Sequence, residues 1–381
     1  MSIYLCIVKE SPSYVPPLPP IPTKCPSKQQ IVFVKTHKTG STTLARLIEQ
    51  YAVDHKLNVV RKIGERGSVH FDQKFNYGCP KLFLPPRGVK TGDYKNYKYD
   101  IFTIHAHYNR SVYDSFMNEN SFYFTILRNP VMQFESAFDF FSIGSKVKLT
   151  GSKENILDKF MLNVEKYWKK LGKMQKRYMH NNQLWDMGVD DVSICLKQNC
   201  SNNLFEKLDN EMDLVLINEF YDESLILLKK MLCWDFEDIL YLPRNKRAKR
   251  TNMTTAVYQK IAKWNAADMK LYNYFEERLK ERISNYGEDF TADLAAFREM
   301  TKFLLDVCVS KERFDVGTRA RNRYLLKQNI TSENCQRIGK NDVCQFSNGY
   351  TLNLSLPQMC KQVTLDGSVM DRTIRKIMKM Q

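Results

Sequence analysis

The stretch from Ile31 to Tyr51 constrains this chain more than any other. Ile31 to Val34 is a short apolar, β-branched run, the pattern of a buried strand. After Thr43, apolar residues return at helical spacing, at Leu44, Leu47, Ile48, Tyr51 and Ala52. Between the two lies a turn made of Lys38, Thr39, Gly40, Ser41, Thr42 and Thr43. A strand that feeds a helix through such a turn presents backbone N–H groups and the positive end of the helix dipole to an anion. The lysine and the hydroxyls add a cation and donors at the same place, so the stretch reads as a phosphate cradle on an α/β fold. It lacks the Gly-x4-Gly-Lys-Ser/Thr order of the nucleoside-triphosphate loop, because Lys38 precedes the only glycine. On the loop alone, a plain strand–turn–helix with a solvated lysine also remains open.

With 381 residues, 43% hydrophobic and 12% aromatic, the chain can bury a sizeable core and does not read as disordered. Its formal net charge of +16 points to anionic partners: a nucleotide, acidic glycans, a membrane surface or nucleic acid. Charge alone does not choose among these, nor against lysines that only keep the surface soluble. Ten cysteines with no Cys-x-x-Cys pair argue against a zinc site and a disulfide-dense scaffold, while allowing some pairing in an oxidising lumen. Asn-x-Ser/Thr triplets at Asn109, Asn199, Asn252, Asn329 and Asn353 are compatible with a secretory location. No segment reaches the ~20 apolar residues of a membrane span, and Ser2 to Val8 lacks the basic flank of a signal peptide.

Three segments follow from composition. Residues 1–29 hold a Pro-rich linker, with seven of the thirteen prolines between Pro12 and Pro26. Residues 30–310 form the folded domain, and 311–381 a basic, Cys-containing extension. Within the domain, residues 53–99 read as loops with short elements. Strands are expected over Asp100 to Ile104, ending in His105-Ala-His107, over Ser121 to Leu127, and over Leu214 to Ile217. Arg128-Asn-Pro130 breaks the third strand, and Pro130 opens a helix carrying Phe134, Ala137, Phe138, Phe141 and Ser136. Further helices are expected over 154–186, Leu225 to Leu232, Thr255 to Ile283 and Ala292 to Val309. Two readings of Arg128 stand: a fork that grips a phosphate beside a hydroxyl, or a surface arginine capping a strand. The basic run Pro243 to Arg250 is a solvated face, a nucleic-acid patch, or a flap over a nucleotide. His105 and His107 have no acidic or Cys partner nearby in sequence, so no metal is expected.

Several blocks in register resemble the galactose-3-O-sulfotransferase family. They are Phe33-Val-Lys-Thr-His-Lys-Thr-Gly-Ser-Thr42, His105-Ala-His-Tyr-Asn109, and Tyr123-Phe-Thr-Ile-Leu-Arg-Asn-Pro130 with Glu135-Ser136. Asn181-Asn-Gln-Leu-Trp185 with Asp186, Leu214 to Ile217 with Asp222-Glu-Ser-Leu225, and Trp264 with Leu271-Tyr272 continue the match. The resemblance implies a P-loop-like sulfotransferase fold, a central parallel sheet flanked by helices, binding 3′-phosphoadenosine 5′-phosphosulfate (PAPS) at the strand ends. It implies that Lys38, Thr39, Gly40, Ser41, Thr42 and Thr43 hold the 5′-phosphosulfate, and Arg128 with Ser136 the 3′-phosphate. It also matches His105 and His37 to two family histidines, and a sugar hydroxyl needs a general base of that kind. His105 is the first choice for the base and His37 the second; His37 could instead orient the phosphosulfate or be a satisfied core histidine.

The implied reaction is sulfuryl transfer to the 3-hydroxyl of galactose on a glycolipid or glycoprotein glycan, with Lys38 stabilising the leaving group and no metal. Two departures stand out: Gly40 replaces the alanine of many relatives, and His107 the expected arginine, which bears on the acceptor. Phe71, Phe75, Tyr77, Tyr94, Tyr97 and Tyr108 are candidates to stack on sugar rings or simply to pack. Family members are Golgi type II membrane proteins with a lumenal catalytic domain. The span is not seen here, which implies a chain that is incomplete or mis-started, or one that is soluble or anchored otherwise. The alternatives are a sulfotransferase for another carbohydrate and, in a different class, a basic nucleic-acid-binding protein; no recognisable nucleic-acid module supports the latter.

Overall fold

Runs that are apolar on both faces can only be buried on both faces, and four of them make the central sheet. In chain order the strands are β1 (Ile31–Val34), β2 (His70–Lys74), β3 (Ile101–Phe102), β4 (His105–His107), β5 (Phe122–Leu127) and β6 (Leu214–Ile217). The computed structural model describes residues 26–62, 70–74, 78–190, 201–241 and 253–309. The Pro-rich start, the run Pro243 to Arg250 and the extension from 311 lie outside the described residues. The central sheet is parallel throughout, in the order β3-β1-β5-β6. Ile31 pairs with Phe122 and Val34 with Thr125, while Phe124 pairs with Leu214 and Leu127 with Ile217.

Helices cover the sheet. α1 (Ser41–Asp54) follows β1, α2 (Arg110–Phe116) follows β4, and α3 (Pro130–Phe140) follows β5. Next come α4 (Ile143–Lys146), α5 (Lys153–Leu162), α6 (Val164–Lys169), α7 (Lys173–Tyr178) and α8 (Asn182–Asp186). α9 (Ser201–Glu211) leads into β6, and α10 (Tyr221–Leu232) leaves it. α11 (Phe236–Ile239), α12 (Thr255–Trp264), α13 (Ala266–Ser284) and α14 (Phe290–Val309) complete the described elements. The main core gathers the sheet with α1, α10 and α13; a second, smaller core joins Val131, Phe134, Phe138, Ile143, Phe160 and Ile261 beside α3.

The strand expected over Asp100 to Ile104 divides. β3 stays in the central sheet, whereas the histidine segment β4 pairs with β2 in a separate two-stranded parallel sheet. At the break, the Thr103 hydroxyl turns to the buried Glu49 carboxylate at 2.8 Å. The helical region over 154–186 is four short helices, interrupted at Asn163, around Gly172 and at Asn181, whose φ is 45°. The helix expected over Thr255 to Ile283 breaks at Asn265, whose side chain accepts from the Asn181 N–H.

Topology fixes where a ligand belongs. From β1 the chain moves to β3 on one side and later to β5 on the other. The crevice beyond the ends of β1 and β5 is therefore a switch point, where open α/β sheets bind ligands.

Candidate active site

Three segments leave the sheet at that crevice: the 35–40 loop after β1, Arg128-Asn129 after β5, and Asn218-Glu219 after β6. The first loop is wound tightly. Thr36 Oγ1 donates to Ile126 O at 2.5 Å, and the Ser41 hydroxyl donates to Thr36 O at 2.6 Å. Thr39 Oγ1 lies 2.7 Å from Thr36 Oγ1, so the hydroxyls of Thr39 and Ser41 hold the turn's shape. Lys38 and Gly40 both have positive φ, 60° and 85°. At Gly40 a Cβ would run into the Asn218 side-chain amide, which donates to Thr39 O at 3.0 Å. A glycine suits both the backbone angle and the close approach.

The turn delivers the start of α1, which has no side-chain cap and no acidic residue in its first turn. Its positive end is thus left without an opposing charge in its own first turn. Thr42 is exposed there, and Thr43 is buried. Arg128 reaches the same place: its Nη1 donates to Lys38 O at 3.1 Å. The lysine loop and the strand-end arginine, ninety residues apart in sequence, are neighbours. Ser136 lies buried further along α3, whose first turn is capped by Asn129 Oδ1 accepting from Val131 N and Met132 N.

His37 and His105 meet face to face, with ring centroids 4.0 Å apart and planes within 16°. Both are buried. His105 Nδ1 lies 3.0 Å from Lys35 O, and a carbonyl can only accept, so Nδ1 carries the proton and Nε2 the lone pair. His37 Nδ1 lies 2.8 and 3.0 Å from the two oxygens of Asp186, and the His37 backbone N–H donates to Asp186 Oδ2 at 2.7 Å. An ionised carboxylate there fixes the same tautomer, with Nε2 as the basic atom. His107 does not join them; its Nε2 is 3.2 Å from Asp190 and its ring meets Trp185 edge-on.

Asp186 belongs to a hub that the sequence did not mark as functional. Gln183 binds the Arg128 backbone twice, accepting its N–H and donating to its carbonyl, both at 2.8 Å. Gln133 donates to His37 O at 3.1 Å and to Asn182 Oδ1 at 3.0 Å. One turn of helix, α8, therefore holds the lysine loop, the arginine and α3 together. It is itself fixed by Asp268, whose oxygens accept from Gln183 N and Leu184 N at 3.0 and 2.9 Å. Burial pushes the Asp268 carboxyl up to about 7, against the pull of those two N–H groups. In the sequence this hub shows as the block Asn181-Asn-Gln-Leu-Trp185 with Asp186 that carries part of the family resemblance, with no role read for its side chains.

Behind His105 lies a charged cluster. Glu49 is 2.8 Å from Arg46 and 3.3 Å from Arg61. Burial pushes its carboxyl up, but Arg61, Arg46 and Lys35 outweigh this and hold it below its usual range. Burial brings the Lys35 ammonium down to about 8, with Glu49 opposing.

Toward solvent, Lys38 Nζ sits 3.5 Å from the centroid of Phe140, and Tyr178 lies 5.0 Å from the His37 ring. Of the aromatics expected near the acceptor, Tyr97 and Tyr108 are buried packing residues, and Tyr94 packs edge-on against Tyr97. The side chains of Phe71, Phe75 and Tyr77 lie outside what is described. Among the described residues, no group of three or more His, Cys, Asp and Glu side chains converges as a metal site.

Comparison with known proteins fits this geometry. A family model described as galactose-3-O-sulfotransferase matches residues 2–365. The galactosylceramide sulfotransferase of Bos taurus is 25% identical over 89% of this chain and 76% of its own length. That of Mus musculus is 26% identical over 75% of this chain and 65% of its own length. Galactose-3-O-sulfotransferase 2 of Homo sapiens is 30% identical over 67% of this chain, which spans 61% of that protein. Against several of these relatives, then, the chain spans slightly less than two thirds of the full length. With a match over nearly all its residues and a parallel sheet bearing the expected loops, this chain belongs to the galactose-3-O-sulfotransferase family.

Proposed function

We propose that the protein transfers a sulfuryl group from PAPS to the 3-hydroxyl of a galactose residue on a glycolipid or glycoprotein glycan. The observation that carries this reading is the contact between Arg128 and Lys38 beside two stacked imidazoles. A nucleotide with phosphates at both ends needs two cationic grips within its own length, and a hydroxyl acceptor needs a base between them. Residues 38–43, through backbone N–H groups, the Lys38 ammonium and the uncapped start of α1, fit the 5′ end. Arg128, with Ser136 on α3, fits the 3′-phosphate.

PAPS supplies an activated sulfur–oxygen bond and a phosphate leaving group. The chain's part is positioning and charge, as in phosphoryl transfer. The acceptor O3 forms a bond to sulfur in line with the breaking bond to the 5′-phosphate oxygen, and its proton passes to an imidazole Nε2. His105 is assigned as that base. A second reading assigns His37, because Asp186 would hold the imidazolium that forms, as the acid of a triad does. Lys38 offsets charge growing on the departing phosphate. No residue in this scheme requires a metal.

Cys233 is disulfide-bonded, which supports an oxidising lumen, and by family the Golgi is the expected site. Among the described residues no helix is long and apolar enough to cross a membrane. The test is transfer of radiolabelled sulfate from PAPS across a panel of galactosides, glycolipid and glycan, with other sugars as controls. Labelling at galactose O3 is expected; labelling of another sugar moves the protein to the wider class of carbohydrate sulfotransferases. A thermal shift with 3′-phosphoadenosine 5′-phosphate separates both from a nucleic-acid-binding role.

A further inference from the structure

Beside the imidazole pair opens a groove of about 590 Å³, within the ~300–1,000 Å³ typical of small-molecule sites. Phe140, Phe141, Ser145, Lys146, Met174 and Tyr178 line it. Four large apolar side chains stand exposed among the described residues, and two of them, Phe140 (57%) and Met174 (46%), are in this groove. A folded chain gains nothing by leaving a phenyl ring and a thioether together in water, so such a pairing marks a binding surface.

The groove is continuous with the reacting centre. Tyr178 stacks on Phe141 at 3.9 Å, with planes within 6°, and also meets the His37 ring at 5.0 Å. Phe140 carries the Lys38 ammonium at 3.5 Å. Two residues of the groove wall, Phe140 and Tyr178, thus touch Lys38 and His37, and His37 in turn stacks on His105.

We infer that this groove holds the acceptor's terminal galactose, with Phe140 and Tyr178 as specificity-determining residues; this rests on the transfer reaction proposed above. Galactose has an axial 4-hydroxyl, which leaves the hydrogens on C3, C4 and C5 together on one face of the ring. That face is apolar and matches an aromatic ring, while the equatorial 3-hydroxyl points along the ring's edge. With the sugar face on Phe140, O3 is directed toward the imidazole pair. Glucose, whose 4-hydroxyl is equatorial, lacks such a continuous apolar face. The apolar groove thus selects through the one stereocentre that separates the two sugars.

The test uses the full chain with Phe140→Ala and Ser145→Trp; both positions are exposed, so folding is not at issue. Phe140→Ala is expected to raise the KM for a β-galactoside about tenfold, the scale of one aromatic stacking contact plus its buried area. It should leave the Kd for 3′-phosphoadenosine 5′-phosphate unchanged. Ser145→Trp, which fills the groove, should abolish transfer while nucleotide binding survives. Wild-type acceptor KM in both variants overturns the assignment, and so does loss of nucleotide binding in Ser145→Trp, which would give the groove to the donor. If the wild-type protein transfers sulfate to no galactoside, the reaction proposed above fails and this inference falls with it. Transfer by the wild type with indifferent variants overturns only the groove.

Discussion

Stacked 4.0 Å apart, the rings of His37 and His105 would meet like-charge repulsion if both carried a second proton. In the proposed transfer the pair would therefore take up one proton between them, and mutation separates its members. His105→Ala is expected to abolish turnover with binding of 3′-phosphoadenosine 5′-phosphate intact; surviving turnover would hand the role to His37. On the second reading, with His37 as the base, Asp186→Asn is expected to lower kcat on the order of 10²-fold, the scale of general-base catalysis, and to displace the pH–kcat profile. A lowered melting temperature with an unmoved profile would make Asp186 a scaffold residue only. Arg128→Ala removes a charged hydrogen-bonding group and is expected to weaken nucleotide binding by ~1.5–3 kcal/mol. Calorimetric titration checks this, and an unaltered affinity would remove Arg128 from the nucleotide site.

At the scale of elements, α8 is legible in the sequence only as a block of the family resemblance, not as the hub it forms. Strands were legible because they are apolar on both faces: Leu214 to Ile217 is strand from end to end, and β5 begins one residue inside the expected Ser121. The turn at Lys38 to Thr43 was legible because lysine, glycine and hydroxyls interrupt two clear periods. α8 has neither advantage. It is five residues long, and its meaning lies in partners far away in sequence, 149 residues from Asp186 to His37 and 55 from Gln183 to Arg128. For the same reason the long helix expected over Thr255 to Ile283 hid its break at Asn265, where tertiary bonding overrides local propensity.

The hub also gives a pH prediction. In the unfolded chain Asp268 titrates near 3.8, and in the folded chain near 7. Below both values the carboxyl is protonated in each state and adds no slope. Between them the unfolded chain releases its proton first, so this group's contribution to stability falls as pH rises, and levels off above about 7. Melting temperatures of wild type and Asp268→Asn between pH 4.5 and 8, values chosen to bracket that window, should differ in slope. Parallel curves would show that the carboxyl is already ionised when folded.

Over the whole molecule, charge is distributed unevenly. Residues 146–177, which contribute part of the groove wall, hold ten Lys and Arg against three Asp and Glu. Lys146, Lys166, Lys169, Lys170 and Lys173 are exposed. A segment this basic, with Lys146 in the groove wall, is expected to draw anionic surfaces, and salt screens the attraction over about 10 Å at 0.1 M. Transfer to a galactolipid in vesicles containing anionic phospholipid is expected to lose apparent affinity as salt is raised, whereas a soluble neutral galactoside should be nearly insensitive. Equal salt dependence for both would place the effect on the nucleotide instead.

The grip of α13 on α8, through Asp268 and Asn265, sets the minimum length expected to carry the proposed transfer. A fragment truncated at Trp264 would retain every residue of the loop, the strand-end arginine, both imidazoles and Asp186. It would nevertheless have lost the carboxylate and the amide that seat the little helix joining them. On the proposed function, the smallest piece expected to hold a donor therefore extends far beyond the last recognisable loop, and a boundary chosen from motifs alone is expected to yield an inert protein.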